Sequence, residues 1–143
     1  DWIATPNHGV WDKSLYDSLY EKEFAKEADK ITNTEVLCFL KFPSWYKIPT
    51  PIGNYEPDFG VVLHKRLLSS PNEDKEYYFV VEIKGTDDIN DTRALTPHEI
   101  GRIKCAVKHF KSLGIEAYYK APIKEYDTFK AQANQTINNN GNI

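Results

Sequence analysis

The chain has 143 residues, 41% hydrophobic and 27% charged. That suffices for one domain and is too ordinary a composition for a disordered, collagenous or coiled-coil protein. Lys and Arg number 18 against 21 Asp and Glu, a net charge of −3. This excludes a free-standing module that grips nucleic acid by charge alone, but not an enzyme whose DNA is delivered by other domains. No apolar run approaches the roughly 20 residues of a membrane helix, so no membrane partner is expected.

Residues 1–13 read as an irregular lead-in with Pro6 and Gly9 and no secretory leader pattern. The absence of any Met suggests a piece of a longer protein. A helix is predicted over 14–30, with Tyr16, Tyr20, Phe24 and Ile31 on one broad face and Glu21 and Glu23 on opposite flanks of it. The compact apolar run 35–42 reads as a buried strand, and the Pro-rich segment 43–58 cannot be a central strand, because each Pro removes a ladder donor. Strands follow at 59–65 and 77–84, separated by the polar turn 69–76. Thr96-Pro97 with Glu99 forms a capping-box start to a helix that carries Ile100, Ile103, Val107 and Phe110 and stops at Gly114. A fourth strand is predicted over 115–121, and the Asn-rich end, 134–143, is expected to fray. The order α-β-β-β-α-β describes a single α/β domain with its core over 14–124, a meander followed by a helical crossover.

Cys38 and Cys105 lie in apolar stretches and read as buried thiols of a reducing compartment, which makes the sequon at Asn134 incidental. His8, His64, His98 and His109 have no zinc spacing, and no phosphate-binding loop of the ATPase type is present.

The strand ending Val80-Val81-Glu82-Ile83-Lys84 needs a chemical account. Alternation places Glu82 and Lys84 on one face of an otherwise apolar strand. The preceding strand is entered through Pro57-Asp58, so Asp58 can stand level with Glu82 on its neighbour. Two converging carboxylates repel and are costly to bury; a hard divalent cation such as Mg²⁺ relieves both problems. A metal-bound water can attack a phosphodiester, with Lys84 orienting it or countering negative charge. The plainer alternative is an exposed Glu-Lys pair at a strand end and a turn Asp after Pro57.

These residues resemble the PD-(D/E)xK nuclease superfamily. The longer blocks KFPSWYKIPTPIGNYEPDFGVV, YYFVVEIKGT and EIGRIKCAVKHF, with SLYEKEFA on the first helix, resemble the C-terminal endonuclease domain of the restriction (Res) subunit of Type III restriction enzymes, over about residues 15–120. The resemblance implies a restriction-endonuclease-like core with a mixed central sheet flanked by helices. It implies Asp58 and Glu82 as metal-binding carboxylates, Lys84 as the catalytic lysine and Glu21 as a supporting acid, with Glu23 its competitor. It further implies Mg²⁺, replaceable by Mn²⁺; double-stranded DNA as substrate; a modification (methyltransferase) subunit and a helicase-like motor as partners; ATP used only by that motor; and the bacterial cytoplasm. Glu99 and Arg102, three residues apart on the second helix, can lean over the sheet end or form a surface ion pair. Lys104, Lys108 and Lys111 read as a solvated flank, and Trp45-Tyr46-Lys47 as a cap on a core edge. The expected activity is metal-dependent DNA cleavage. The alternatives are a catalytically idle nuclease-like module that serves binding or assembly in a DNA motor protein, and a related nuclease of branched or damaged DNA.

Overall fold

The computed structural model describes residues 2–51, 53–64, 75–115 and 118–141. Most of the polar turn expected at 69–76 lies outside them. The central sheet has four strands in the order β3 (Val36–Lys41), β6 (Phe59–His64), β7 (Glu76–Ile83) and β8 (Tyr119–Ile123). The first three pair antiparallel, and β7 pairs with β8 in parallel, as the length of the intervening connection requires. Helix α2 (Pro97–Ser112) supplies that crossover. It has the predicted Thr96–Glu99 capping box, and Gly114, at φ +75°, takes the left-handed conformation just past its end.

One face of the sheet is buried and the other partly covered, and the alternation of the strands sorts two cores. Phe59, Val61, Leu63, Phe79, Val81 and Ile83 face helix α1 (Leu19–Ala28) and helix α3 (Tyr126–Gly141). Phe24 is the hub of this layer, with Phe59, Tyr126 and Phe129 rings at 5.2, 5.6 and 5.8 Å. The opposite face carries Val80 and Tyr119 against Ile103, Ala106 and Phe110 of α2.

Several expectations are corrected. The tail does not fray from residue 134: α3 continues to Gly141, because Tyr126, Phe129, Ala133 and Ile137 place an apolar stripe on the core. The stripe outweighs the poor helix propensity of the Asn run, of which Asn138 and Asn139 are exposed. The first helix starts at Leu19, not 14, because Ser18 caps it by accepting from the Glu21 N–H, while residues 13–15 are drawn into a ribbon. In that ribbon β1 (Trp2–Ala4) pairs with β2 (Lys13–Leu15), so the lead-in is not irregular. The Pro-rich segment stays out of the main sheet as expected, but folds into its own hairpin, β4 (Ile48–Thr50) and β5 (Gly53–Tyr55). The last strand is shifted to 119–123. Both cysteines are free and only half-buried. Among the described residues no helix is long and apolar enough to cross a membrane.

Phe129→Ala tests the role of the terminal helix. Phe129 is fully buried between Phe24 and Phe79, so truncation should cost about 3–5 kcal/mol, measured by chemical denaturation. An unchanged stability would mean that α3 does not pack on the core.

Candidate active site

The pairing of Phe59 with Val81 carries the ladder to its end, where the next step sets Asp58 opposite Glu82. Both side chains emerge on the α2 side of the sheet, at the end of two adjacent strands. Glu82 is buried and Asp58 half-buried. The Ile83 N–H donates to Asp58 Oδ2 at 2.9 Å, and the Tyr55 hydroxyl donates to Glu82 Oε2 at 2.7 Å. Tyr55 comes from the β4–β5 hairpin, which packs on α2 below the pair, and its hydroxyl also meets that of Tyr119 at 2.7 Å.

Lys84 lies just past the strand. Its Nζ is 3.5 Å from Glu82 Oε1 and 2.7 Å from Glu99 Oε2. Glu99 uses its other oxygen to accept the Thr96 N–H at 3.1 Å, so the cap of α2 also anchors the lysine. Burial works against the Lys84 charge, but the hydrogen bond to Glu99 and the charges of Glu82, Glu99 and Asp58 outweigh it and raise its pKa. Lys84 is therefore a fixed ammonium, suited to holding negative charge and unsuited to removing a proton.

The two carboxyl groups carry the electrostatic cost. Burial, then the charges of Glu82 and Glu21, push Asp58 up from 3.8 to about 8, against the lowering effect of the Ile83 N–H and Lys84. Burial also raises Glu82, although Lys84, Tyr55 and Asp58 all favour its charged form. Burial thus pushes both acids toward their neutral forms, Asp58 to about 8. Among the described residues no group of three or more His, Cys, Asp or Glu side chains is arranged to hold a metal ion. The chain itself offers two converging carboxylates, an oxygen-only donor set. That suits a hard cation that offsets the charge of both carboxylates and fills its other positions with water, as Mg²⁺ does.

Of the residues singled out from sequence, Asp58, Glu82 and Lys84 come together, and Glu21 approaches from α1. Glu21 is buried, and its Oε1 lies 2.7 Å from Lys41 Nζ, which also holds Asp17 at 2.7 Å. Glu23 is exposed and pairs with Lys26 at 3.8 Å, so tertiary structure selects Glu21 of the two. Glu99 joins the site through Lys84, while Arg102 is exposed and makes no pair with it. Lys104, Lys108 and Lys111 are exposed. Tyr46 stacks on Phe42 at 4.8 Å as an edge cap, but Trp45 projects into solvent, contrary to expectation. Tyr55, Tyr119 and Lys41 escaped sequence reasoning. Tyr55, three residues before Asp58, is the one whose position offered a signal.

A mixed four-stranded sheet between helices, with paired carboxylates and a lysine at the ends of its central strands, defines a restriction-endonuclease-like domain. The sequence model of the endonuclease-domain family matches residues 7–126, most of the chain, and the protein belongs to that family. Comparison with curated proteins and with solved structures finds no match.

The raised pKa of Asp58 gives a pH signature. A carboxyl whose pKa is higher folded than unfolded stabilises the fold fully below its unfolded value, and that stability is lost as pH rises through the folded value. In EDTA the Tm should therefore fall between about pH 4 and pH 8, the window set by Asp58. Asp58→Asn keeps an acceptor for the Ile83 N–H and removes the charge. It should flatten this fall and raise the Tm at pH 8, read by thermal scans of both proteins from pH 5 to 9. Parallel curves would show that Asp58 ionises freely.

Tyr55→Phe should leave the fold in place and weaken the hold on Glu82. The expected loss is about 1–3 kcal/mol of stability, because a buried carboxylate oxygen loses its donor. Chemical denaturation measures it; no change would mean that water replaces the hydroxyl.

Proposed function

We propose that this chain is a Mg²⁺-dependent DNA endonuclease domain, the nuclease part of the restriction subunit of a Type III restriction enzyme. The observation that carries the reading is the juxtaposition of Asp58 and Glu82 across β6 and β7 with the ammonium of Lys84 beside them. Asp58 and Glu82 would hold the ion, which when bound makes a coordinated water more acidic and offsets charge on the phosphate.

The chain's own groups do the rest. Lys84, tethered by Glu99, faces the reacting phosphate with a fixed positive charge and favours the more negative transition state. Tyr55 fixes one oxygen of Glu82, and the Ile83 N–H fixes one oxygen of Asp58. Glu21, paired with Lys41, adds negative potential behind Asp58. In-line attack by water on phosphorus leaves a 5′-phosphate and a 3′-hydroxyl.

The Type III setting is supported by the similarity of the blocks around Trp45, Asp58 and Glu82 to that family. It implies a motor that uses ATP and a modification subunit that reads the sequence, both in the bacterial cytoplasm. A module of net charge −3 suits a nuclease to which DNA is supplied.

Two readouts test the reading together. The isolated chain at high concentration should nick plasmid DNA weakly and without sequence preference in Mg²⁺ or Mn²⁺, and Asp58→Asn and Lys84→Ala should abolish nicking. Mn²⁺ at a hundredfold excess over Kd should stabilise the wild type by roughly 2.7 kcal/mol, and Asp58→Asn should lose most of that gain. An unchanged Mn²⁺ response in Asp58→Asn would sink the metal site, and rapid site-specific cutting by the chain alone would sink the assignment of sequence readout to another subunit.

A further inference from the structure

The Lys84 ammonium stands between two carboxylates and does not divide itself evenly. Its contact with Glu99 Oε2 is 2.7 Å, the length of a full charge-assisted hydrogen bond, while Glu82 Oε1 is 3.5 Å away. Strand alternation alone favours the opposite, since Glu82 lies two residues from Lys84 on the same face. Burial favours the opposite too: 7% of the Glu82 side chain is exposed against 32% for Glu99. A carboxylate removed from water gains more from a paired ammonium than one at the surface.

The cause is the fixed position of Glu99. It is the third residue of α2, where Oε1 accepts the Thr96 N–H at 3.1 Å and its own N–H donates to Thr96 Oγ1 at 3.1 Å. One oxygen is thus engaged by the helix cap and the other by the lysine, and the first turn of a helix favours a negative charge. The main chain of Lys84 is held as well. Its N–H donates to the Ile123 carbonyl at 2.9 Å, and the Tyr20 ring packs on Gly85, 3.1 Å from where a Cβ would stand. With both backbones fixed, the place of the ammonium is set by the pull of Glu99 against that of Glu82.

These distances bear on metal binding. The Tyr55 hydroxyl donates to Glu82 Oε2 at 2.7 Å, which leaves Oε1 as the less engaged oxygen of that acid. Oε1 is also the oxygen that faces Lys84. An ammonium and a divalent cation compete for it, because each neutralises the same charge. A lysine that closed from 3.5 Å onto Oε1 would make an internal ion pair of the two groups that the chemistry needs apart.

We propose that Glu99 is a positioning residue: it draws the Lys84 ammonium off Glu82 and so keeps Oε1 of that carboxylate open to a divalent cation. The inference rests on the nuclease reading and adds the residue that sets how tightly the site takes its ion.

Mn²⁺ binding without DNA tests it, read from the electron paramagnetic resonance signal of the free ion. Glu99→Gln keeps a residue that completes a capping box, and circular dichroism checks the fold. This substitution should raise the Kd for Mn²⁺ about tenfold. In a Lys84→Met background no ammonium can close on Glu82, and there Glu99→Gln should change Kd by less than about twofold. Equal losses in the two backgrounds would show that Glu99 acts by its own charge and overturn the proposal. Wild-type affinity in Glu99→Gln overturns it too. Lys84→Met alone should bind Mn²⁺ at least as tightly as the wild type; weaker binding overturns the competition without recourse to any Glu99 variant. Asp58→Asn separates the two readings. If it binds Mn²⁺ as the wild type does, the metal site fails and the role of Glu99 fails with it. If it loses Mn²⁺ while Glu99→Gln does not, the nuclease reading stands and only the role of Glu99 fails.

Discussion

The antiparallel register of β6 against β7 governs the molecule. With Phe59 opposite Val81, the odd-numbered residues of both strands enter the aromatic core under α1 and α3. The even-numbered residues turn to the α2 side. The same register sets Asp58 against Glu82 where the ladder ends. A slip of one residue would send Phe59, Val61 and Leu63 to the wrong face and separate the two carboxyl groups. The large burial on the core side therefore enforces the close approach of like charges on the other. The site costs stability, and the packing of Phe24, Phe59, Phe79 and Phe129 offsets that cost.

Each group around the carboxyl pair reduces the penalty in a different way. The Ile83 N–H and the Tyr55 hydroxyl satisfy one oxygen on each acid. Lys84 brings positive charge but divides it between Glu82 and Glu99. Glu21 works in the other direction, since its charge raises the Asp58 pKa. The result is a pair whose charging burial still opposes, and so a place where a divalent cation has more to gain than at an ordinary surface carboxylate.

Peripheral elements are tied to this centre. The capping box of α2 holds Lys84 through Glu99, the Pro-rich hairpin delivers Tyr55, and the ribbon at the start of the chain is fastened by Asp29 next to the strand that precedes Asp58. A loop is conventionally free to vary, but here the connections carry hydrogen bonds that orient the chemistry. Trp11 sits on one of these anchored connections.

Local pattern was enough for the strands 36–41, 59–64 and 76–83, for α2 with its cap, and for Asp58, Glu82 and Lys84 as one group. Each depends on residues adjacent in sequence: apolar alternation, a capping box, a Pro-Asp entry and a Glu-x-Lys exit. The β1–β2 ribbon, the β4–β5 hairpin and the extent of α3 were not legible, because their stability comes from partners elsewhere in the chain. An Asn-rich tail has no helical preference of its own, and it is the seat beneath Phe129, Ala133 and Ile137 that makes it a helix. The choice between Glu21 and Glu23 is of the same kind. Both flank the same helix face, and only the position of Lys41 on β3 decides which is buried. The sequence by itself determined the strands and the chemical types at the site, since periodicity and side-chain identity are local. Tertiary structure alone decided which acid, tyrosine and lysine surround them, because burial and proximity are properties of segments that meet only in the fold.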